Sequence, residues 1–136
     1  MRAQQALVVA FAALVLLASC GSNTKQSASA TTTTPTAPTY VDKTAQTTVT
    51  ITARDDFFTP QFVKVRAGTT IVFENTGHNE HNVISGDGSF TNIETDAFAP
   101  GDTAKVELDK PGTHTYYCSL HGAPGAGMYG SMLVVP

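Results

Sequence analysis

Cysteine is scarce in this sequence: there are two among 136 residues, Cys20 and Cys118. Only Cys118 lies after residue 46, in the part of the chain that has the pattern of a folded domain, so no disulfide can form within that domain. At about 90 residues such a domain buries a modest core, and secreted domains of this size often depend on disulfides or on a metal. With disulfides excluded, a metal is the alternative to consider.

Positive charge and long apolar runs are also lacking. Lysine and arginine total 8 against 11 aspartates and glutamates and form no cluster, which argues against nucleic acid as a partner. The apolar run from Ala6 to Ala18 is shorter than the roughly 20 residues that a membrane-spanning helix needs. Met1 and Arg2 give this run a short positive start, and small residues follow it, a pattern typical of a signal peptide.

The end of that run reads Leu17-Ala18-Ser19-Cys20-Gly21 and resembles the bacterial lipoprotein signal. The resemblance implies that residues 1–19 are removed as a signal peptide and that Cys20 becomes the lipidated amino terminus. We therefore expect a protein that is lipid-anchored to the bacterial cell membrane and faces the periplasm or the cell exterior. An uncleaved anchor and an ordinary secretory peptide are the alternatives.

Residues 20–46 have a different composition from the rest of the chain. They are mostly Thr, Ser and Ala with Pro35 and Pro38, and they show no apolar periodicity. Such a segment cannot bury enough surface to offset its ordering entropy. We expect a lipidated tether that reaches on the order of 30 Å from the membrane if it behaves as a flexible chain.

Residues 47–136 have the pattern of strands. Seven segments show period-two alternation or a short apolar run, and Gly, Pro and Asn turn signals separate them. They are residues 48–52, 62–66, 69–74, 81–84, 103–108, 113–118 and 131–135. Only the region 92–99 has a weak helical pattern. Short strands separated by such turns indicate an all-β, antiparallel sandwich or barrel.

Cys118 is the residue whose presence most needs a chemical reason. A free thiol outside the cytoplasm is open to oxidation, whereas a metal-bound thiolate is sheltered. His121 follows three residues later, Met128 lies where the glycine-rich loop returns, and His81 stands after an upstream turn. One thiolate, two imidazoles and a weak thioether suit copper in an electron-transfer site. A structural zinc site would require two or more thiolates, or a Cys₂His₂ set. The alternative without a metal is a cysteine that packs as a small hydrophobic residue.

The remaining histidines have simpler interpretations. His78 lies in a polar turn and is expected to be solvated, although it could replace His81 if the strand began earlier. His114 shares parity with Tyr116 and Cys118, so it is expected to be an inward, hydrogen-bonded structural residue. Tyr117 then faces outward, either as an ordinary sheet-face aromatic or as part of an electron exit route.

Several motifs occur in the order of a known family. They are Gly77 and His81-Asn82-Val83, then Pro111-Gly112-Thr113 before Tyr116-Tyr117-Cys118-Ser119-Leu120-His121, then Gly127-Met128-Tyr129-Gly130. With them the chain resembles the plastocyanin-like cupredoxins. The resemblance implies a Greek-key β-sandwich with one type 1 copper per chain, bound by His81, Cys118, His121 and, more weakly, Met128. It also implies that Asn82 connects the His81 loop to the Cys118 loop. One departure is that Met128 comes seven residues after His121 instead of the usual five.

These expectations define a function. The chain would shuttle single electrons between redox partner proteins outside the cytoplasmic membrane, docking transiently as a monomer through the small residues around His121. The alternative is an extracytoplasmic copper carrier or buffer that uses the same ligands. A domain of a copper enzyme is the second alternative. The sequence has no spare histidine cluster for a catalytic copper, so we expect no enzymatic activity. A zinc-binding structural lipoprotein is a remote third possibility.

Overall fold

The computed structural model describes residues 36–136, so the predicted signal peptide, Cys20 and most of the predicted tether lie outside the described residues. The described part contains nine strands and one turn of 3₁₀ helix. The strands are β1 Val41–Asp42, β2 Thr48–Arg54, β3 Phe57–Thr59, β4 Phe62–Arg66, β5 Thr69–Asn75, β6 Ile84–Ser85, β7 Thr103–Leu108, β8 Gly112–Ala123 and β9 Ala126–Val135, and the 3₁₀ turn is Thr95–Ala97. No helix in this part of the chain has the length and apolar character needed to cross a membrane.

The strands form two sheets that face each other. One has the order β1-β4-β9-β8-β6 and the other β3-β2-β5-β7. This is the all-β sandwich predicted from the sequence. The expectation of purely antiparallel pairing was wrong, because β1 with β4, β4 with β9, and β2 with β5 pair in parallel. Period-two alternation reports which face of a strand is buried, but it contains no information about strand direction.

Alternating apolar residues build the core between the two sheets. In β5 every second residue is buried, including Ile71 and Phe73. Phe73 and Phe58 pack their ring edges against Tyr116, with centroid distances of 5.3 and 5.0 Å. Each large side chain removed from water in this way contributes roughly 1.5–3 kcal/mol. Tyr116 is buried as predicted, and its hydroxyl donates to the Gln61 carbonyl at 3.2 Å.

The β8–β9 hairpin departs from the sequence prediction in a way that shapes the functional end of the domain. The strand predicted to end at Cys118 continues to Ala123, with an irregular register between Tyr117 and Gly122. A Cβ on Gly122 would lie 2.5 Å from the Met128 nitrogen, so only glycine permits this close approach of the two strands. The predicted loop is therefore a tight hairpin that turns between Ala123 and Ala126.

Residues before the predicted boundary at residue 47 also pack onto the domain. Val41 and Asp42 of β1 pair with β4. Tyr40 shares a hydrogen bond of 2.9 Å with the Ser131 hydroxyl, and its ring packs edge-on against Phe62 at 5.9 Å. A prediction from average composition overlooked this attachment because it depends on one aromatic residue and a strand of two residues.

Candidate metal centre

Three of the predicted ligands converge at one end of the sandwich. His81 precedes β6, while Cys118 and His121 lie on the irregular part of β8. The Nδ1 atoms of His81 and His121 lie 3.6 and 3.5 Å from the Cys118 Sγ. All three potential ligand atoms are within 4.8 Å of one another, and no further residue belongs to this group of histidine, cysteine and carboxylate side chains in residues 36–136.

The spacing of these atoms fits a shared metal ion. A first-row ion lies about 2.0–2.1 Å from an imidazole nitrogen and about 2.3 Å from a thiolate sulfur. At a tetrahedral angle those bond lengths place nitrogen and sulfur roughly 3.6 Å apart. Both observed separations agree with this value within the tolerance expected of a metal site. The side chains are therefore already arranged around a common centre.

Burial prepares two of the ligands for coordination. Cys118 and His81 are fully buried, whereas His121 is half-buried. Burial lowers the pKa of His81, and the neighbouring His121 lowers that pKa further. Both effects favour the neutral ring, whose lone pair can bind a metal. The buried Nε2 of His81 has no hydrogen-bond partner among the described residues. Within residues 36–136 the ring makes one polar contact, from Nδ1 to the Cys118 sulfur.

Asn82 connects the two ligand-bearing segments. Its side-chain oxygen accepts from the Ser119 backbone N–H at 2.8 Å, and its amide group donates to the Ser119 hydroxyl at 2.8 Å. The family resemblance implied this connection, and the structure shows it. Because Asn82 and Ser119 are adjacent in sequence to His81 and Cys118, the paired hydrogen bonds hold those ligands at a constant separation.

Asn75 organises the loop before His81 and was not singled out from the sequence. It is fully buried, and its amide donates to the carbonyls of Phe98 and Asn79 at 2.9 and 3.0 Å. The Phe98 carbonyl also accepts from the backbone N–H of His81 at 3.4 Å. The sequence Asn75-Thr76-Gly77 reads as a turn, and no local signal marks the asparagine as an anchor for a segment 23 residues away.

Met128 lies beside the ligand hairpin. It is fully buried near the start of β9, and its backbone approaches Gly122, the residue after His121. Met132 is also fully buried, but its register partner is His114, four residues before Cys118. The register therefore favours Met128 over Met132 as the thioether ligand, and that role stays a prediction.

The other two histidines lie outside the cluster, as expected. The side chain of His78 is 93% exposed and contacts the Asp55 carboxylate. His114 is buried, and its Nδ1 and Nε2 lie 2.7 and 2.8 Å from Asp87 Oδ2 and the Lys110 carbonyl oxygen. Both ring nitrogens of His114 thus face acceptors, which fits the predicted structural role.

One buried cysteine sulfur and two imidazoles at one end of a β-sandwich are the ligands of a copper-binding domain. Two or more thiolates, or a Cys₂His₂ set, would indicate structural zinc, whereas a trigonal His₂Cys set with a weak thioether is the donor set of a type 1 copper site. Copper is the cofactor that this centre takes, with one ion per chain.

Comparisons with known proteins agree with this class. The family model of the cupredoxin-like domain matches residues 7–129. Plastocyanin from Vicia faba is 39% identical over 87 residues, which cover 57% of this chain and 86% of that protein. The chloroplastic plastocyanin of Pisum sativum is also 39% identical over 87 residues, which cover 57% of this chain but 51% of the pea protein. The chain thus spans about half the length of that relative.

A solved structure shows the same fold. The purple cupredoxin from Nitrosopumilus maritimus superposes with a TM-score of 0.54 at 23% sequence identity, over 64% of this chain and 99% of that one. Because the family model matches residues 7–129, the chain belongs to the cupredoxin-like family.

Proposed function

We propose that this chain is a single-electron carrier that is anchored to the bacterial cell membrane through lipidated Cys20 and faces the periplasm or the cell exterior. The observation that supports the carrier function most directly is the placement of two imidazole nitrogens at 3.5 and 3.6 Å from one buried sulfur. When bound, copper would accept and release one electron at this centre. Relatives named plastocyanin support the same function, and the lipoprotein-like sequence around Cys20 supports the location.

The residues around the centre perform the protein's part of electron transfer. His81 and Cys118 are buried, so they exclude water from most of the centre. The hydrogen bonds between Asn82 and Ser119 keep the ligand-bearing segments in place while the charge of the centre changes. A site held in this way needs little rearrangement between oxidation states, and a mixture of hard and soft ligands accommodates both of them.

His121 provides the route to the surface in this proposal. Its ring is half-buried, and the residues around it, Leu120 and Ala123 to Ala126, are exposed. Leu120 is 52% exposed. This small apolar surface fits brief docking of a redox partner to a monomeric carrier, in an interface below about 1,200 Å².

A comparison of electron exchange with copper release tests the carrier function. The chain from Thr36 would be loaded with copper and mixed, separately, with a small redox protein and with a copper chelator. We expect rapid, reversible one-electron exchange and slow loss of copper. A chain that exchanges electrons slowly but releases copper readily would instead be a carrier or buffer of the metal.

A further inference from the structure

The segment 36–42, here called the arm, joins the domain with a defined direction. Its last two residues form β1, which runs parallel to β4, and β4 runs parallel to β9. Strand β9 begins at Ala126, in the hairpin that follows His121. All three strands therefore run away from the metal end of the sandwich, and the residues that precede β1 extend back toward that end.

Contacts along the arm agree with this direction. Tyr40 is fastened to Ser131 and Phe62, the residues paired at the start of β4. Thr36 and Pro38 line one cavity together with Gly125. Gly125 lies in the hairpin turn, four residues after His121. The arm thus begins at a cavity that the ligand-bearing hairpin also lines.

The arm ends at the end of the sandwich that is opposite the metal ligands. After β1 the Lys43 N–H donates to the Lys64 carbonyl, and residues 44–47 line a surface with residues 66–69, where β4 turns into β5. A strand of seven residues such as β2 is roughly 23 Å long. If the domain began at β2, the tether would join it at the end far from the metal ligands. With the arm in place, the tether joins it about one strand length away, at the metal end.

We propose that the docked arm makes the membrane-anchored domain present its metal end toward the bilayer, where it fits a redox protein held in or on the same membrane. This inference rests on the proposed lipid anchor at Cys20. From Cys20 to Thr36 the chain advances 16 residues, a distance of at most about 55 Å when fully extended. The anchored domain can reach a partner whose electron-exchange site lies within that distance of the bilayer without leaving the membrane. The tether also raises the effective concentration of the two proteins.

The experiment uses the full lipidated chain, loaded with Cu(I), on vesicles that contain a lipid with a ferrocenium headgroup. One electron passes from Cu(I) to ferrocenium and yields Cu(II) and ferrocene. Tyr40→Ala removes both the ring packing and the hydrogen bond that fasten the arm. We expect this variant to reduce the vesicle-bound ferrocenium at least about threefold more slowly, while its reaction with soluble ferricyanide is unchanged.

Tyr40→Phe is the matched control, because it keeps the ring against Phe62 and loses only the hydroxyl. Its rate on vesicles should lie close to that of the original chain. Equal rates for the original chain and Tyr40→Ala on vesicles would overturn the inference. An unchanged ferricyanide reaction also shows that Tyr40→Ala is folded and that the carrier function survives.

A second measurement reports orientation directly. A fluorophore is attached through a non-natural side chain either at Ala123, beside the metal hairpin, or at Asp109, at the far end of β7; both positions are exposed. Energy transfer to an acceptor lipid should be stronger from position 123, and Tyr40→Ala should reduce that difference. Stronger energy transfer from position 109 in the original chain would overturn the inference about orientation and leave the proposed anchor and the carrier function unaffected. A chain that does not bind vesicles overturns the proposed anchor and the inference with it.

Discussion

Asn82 and Ser119 exchange two hydrogen bonds of 2.8 Å across a separation of 37 residues, and each is the chain neighbour of a metal ligand. The pair couples two segments whose relative position sets the distance between the His81 nitrogen and the Cys118 sulfur. Removal of one partner leaves a backbone N–H of Ser119 without its acceptor, and an unsatisfied, partly buried donor is costly.

Asn82→Ala should therefore lower the free energy of unfolding by about 1–3 kcal/mol and weaken copper retention. Urea titration of the copper-free chain and competition with a chelator measure the two effects. Asn92→Ala is the matched control, since its side chain accepts one exposed backbone hydrogen bond from Ser85, and it should leave copper retention unchanged. Equal effects of the two variants on copper retention would contradict the assigned role.

The ligand set can be tested by colour. The Cu(II)-loaded chain should have an intense blue absorption from thiolate-to-copper charge transfer, and Cys118→Ser or His81→Gly should abolish it. His78→Ala should keep the band, because that side chain is exposed and lies outside the cluster. A colourless Cu(II) form of the original chain, or unchanged colour in Cys118→Ser, would refute a type 1 centre.

The two buried methionines should differ in their effect on the reduction potential. Met128→Leu is expected to keep the blue band and raise the potential, because an axial thioether is a weak ligand that tunes the copper. Met132→Leu is a core substitution of similar volume that should cost under about 1.5 kcal/mol and leave the potential unchanged. Voltammetry of both variants decides the matter, and the opposite pattern would make Met132 the axial ligand.

Asp87 should contribute to stability in acid. Burial alone would raise its pKa, but hydrogen bonds from Ser89, His114 and Ser85 outweigh that effect and lower the pKa from 3.8 to about 2. The folded state thus binds the proton less well than the unfolded state, so the stabilisation is present above about pH 4 and is lost as the pH falls toward 2. Copper-free Asp87→Asn should be less stable at pH 6 and should lose less stability across that interval.

Asp109→Asn provides the comparison for Asp87, since Asp109 is exposed and no hydrogen bond of its side chain is found in the described structure. Its free energy of unfolding at pH 6 should equal that of the original chain. A parallel pH dependence of Asp87→Asn and the original chain would show that the carboxylate does not supply this stability.

The membrane anchor is tested by Cys20→Ser. Without the thiol no lipid can be attached, so the variant should be released from membranes or fail to mature. Fractionation followed by immunodetection measures its distribution. A variant that is processed normally and remains firmly bound to membranes would contradict the lipid anchor.

Some of the site was predictable because it depends on residue chemistry. One thiol in the predicted domain, histidines in a fixed order and a methionine after a glycine-rich segment favour copper as the metal. Alternation likewise predicted the buried positions of Tyr116 and His114. These properties are local, since each is set by a side chain and its nearest neighbours along the sequence.

Strand direction, the early start of the domain and the supports of the metal centre were decided by the tertiary structure. The parallel pairing of β1, β4 and β9 and the contact between Tyr40 and Ser131 join residues up to 91 positions apart. Asn75 and Ser119 acquire their roles in the same way, from partners that the fold brings close. Such contacts form only when the whole core offsets the entropy of closing long loops, so no local pattern records them. The sequence alone determined which atoms could bind a metal, and the packed sandwich determined that three of them meet.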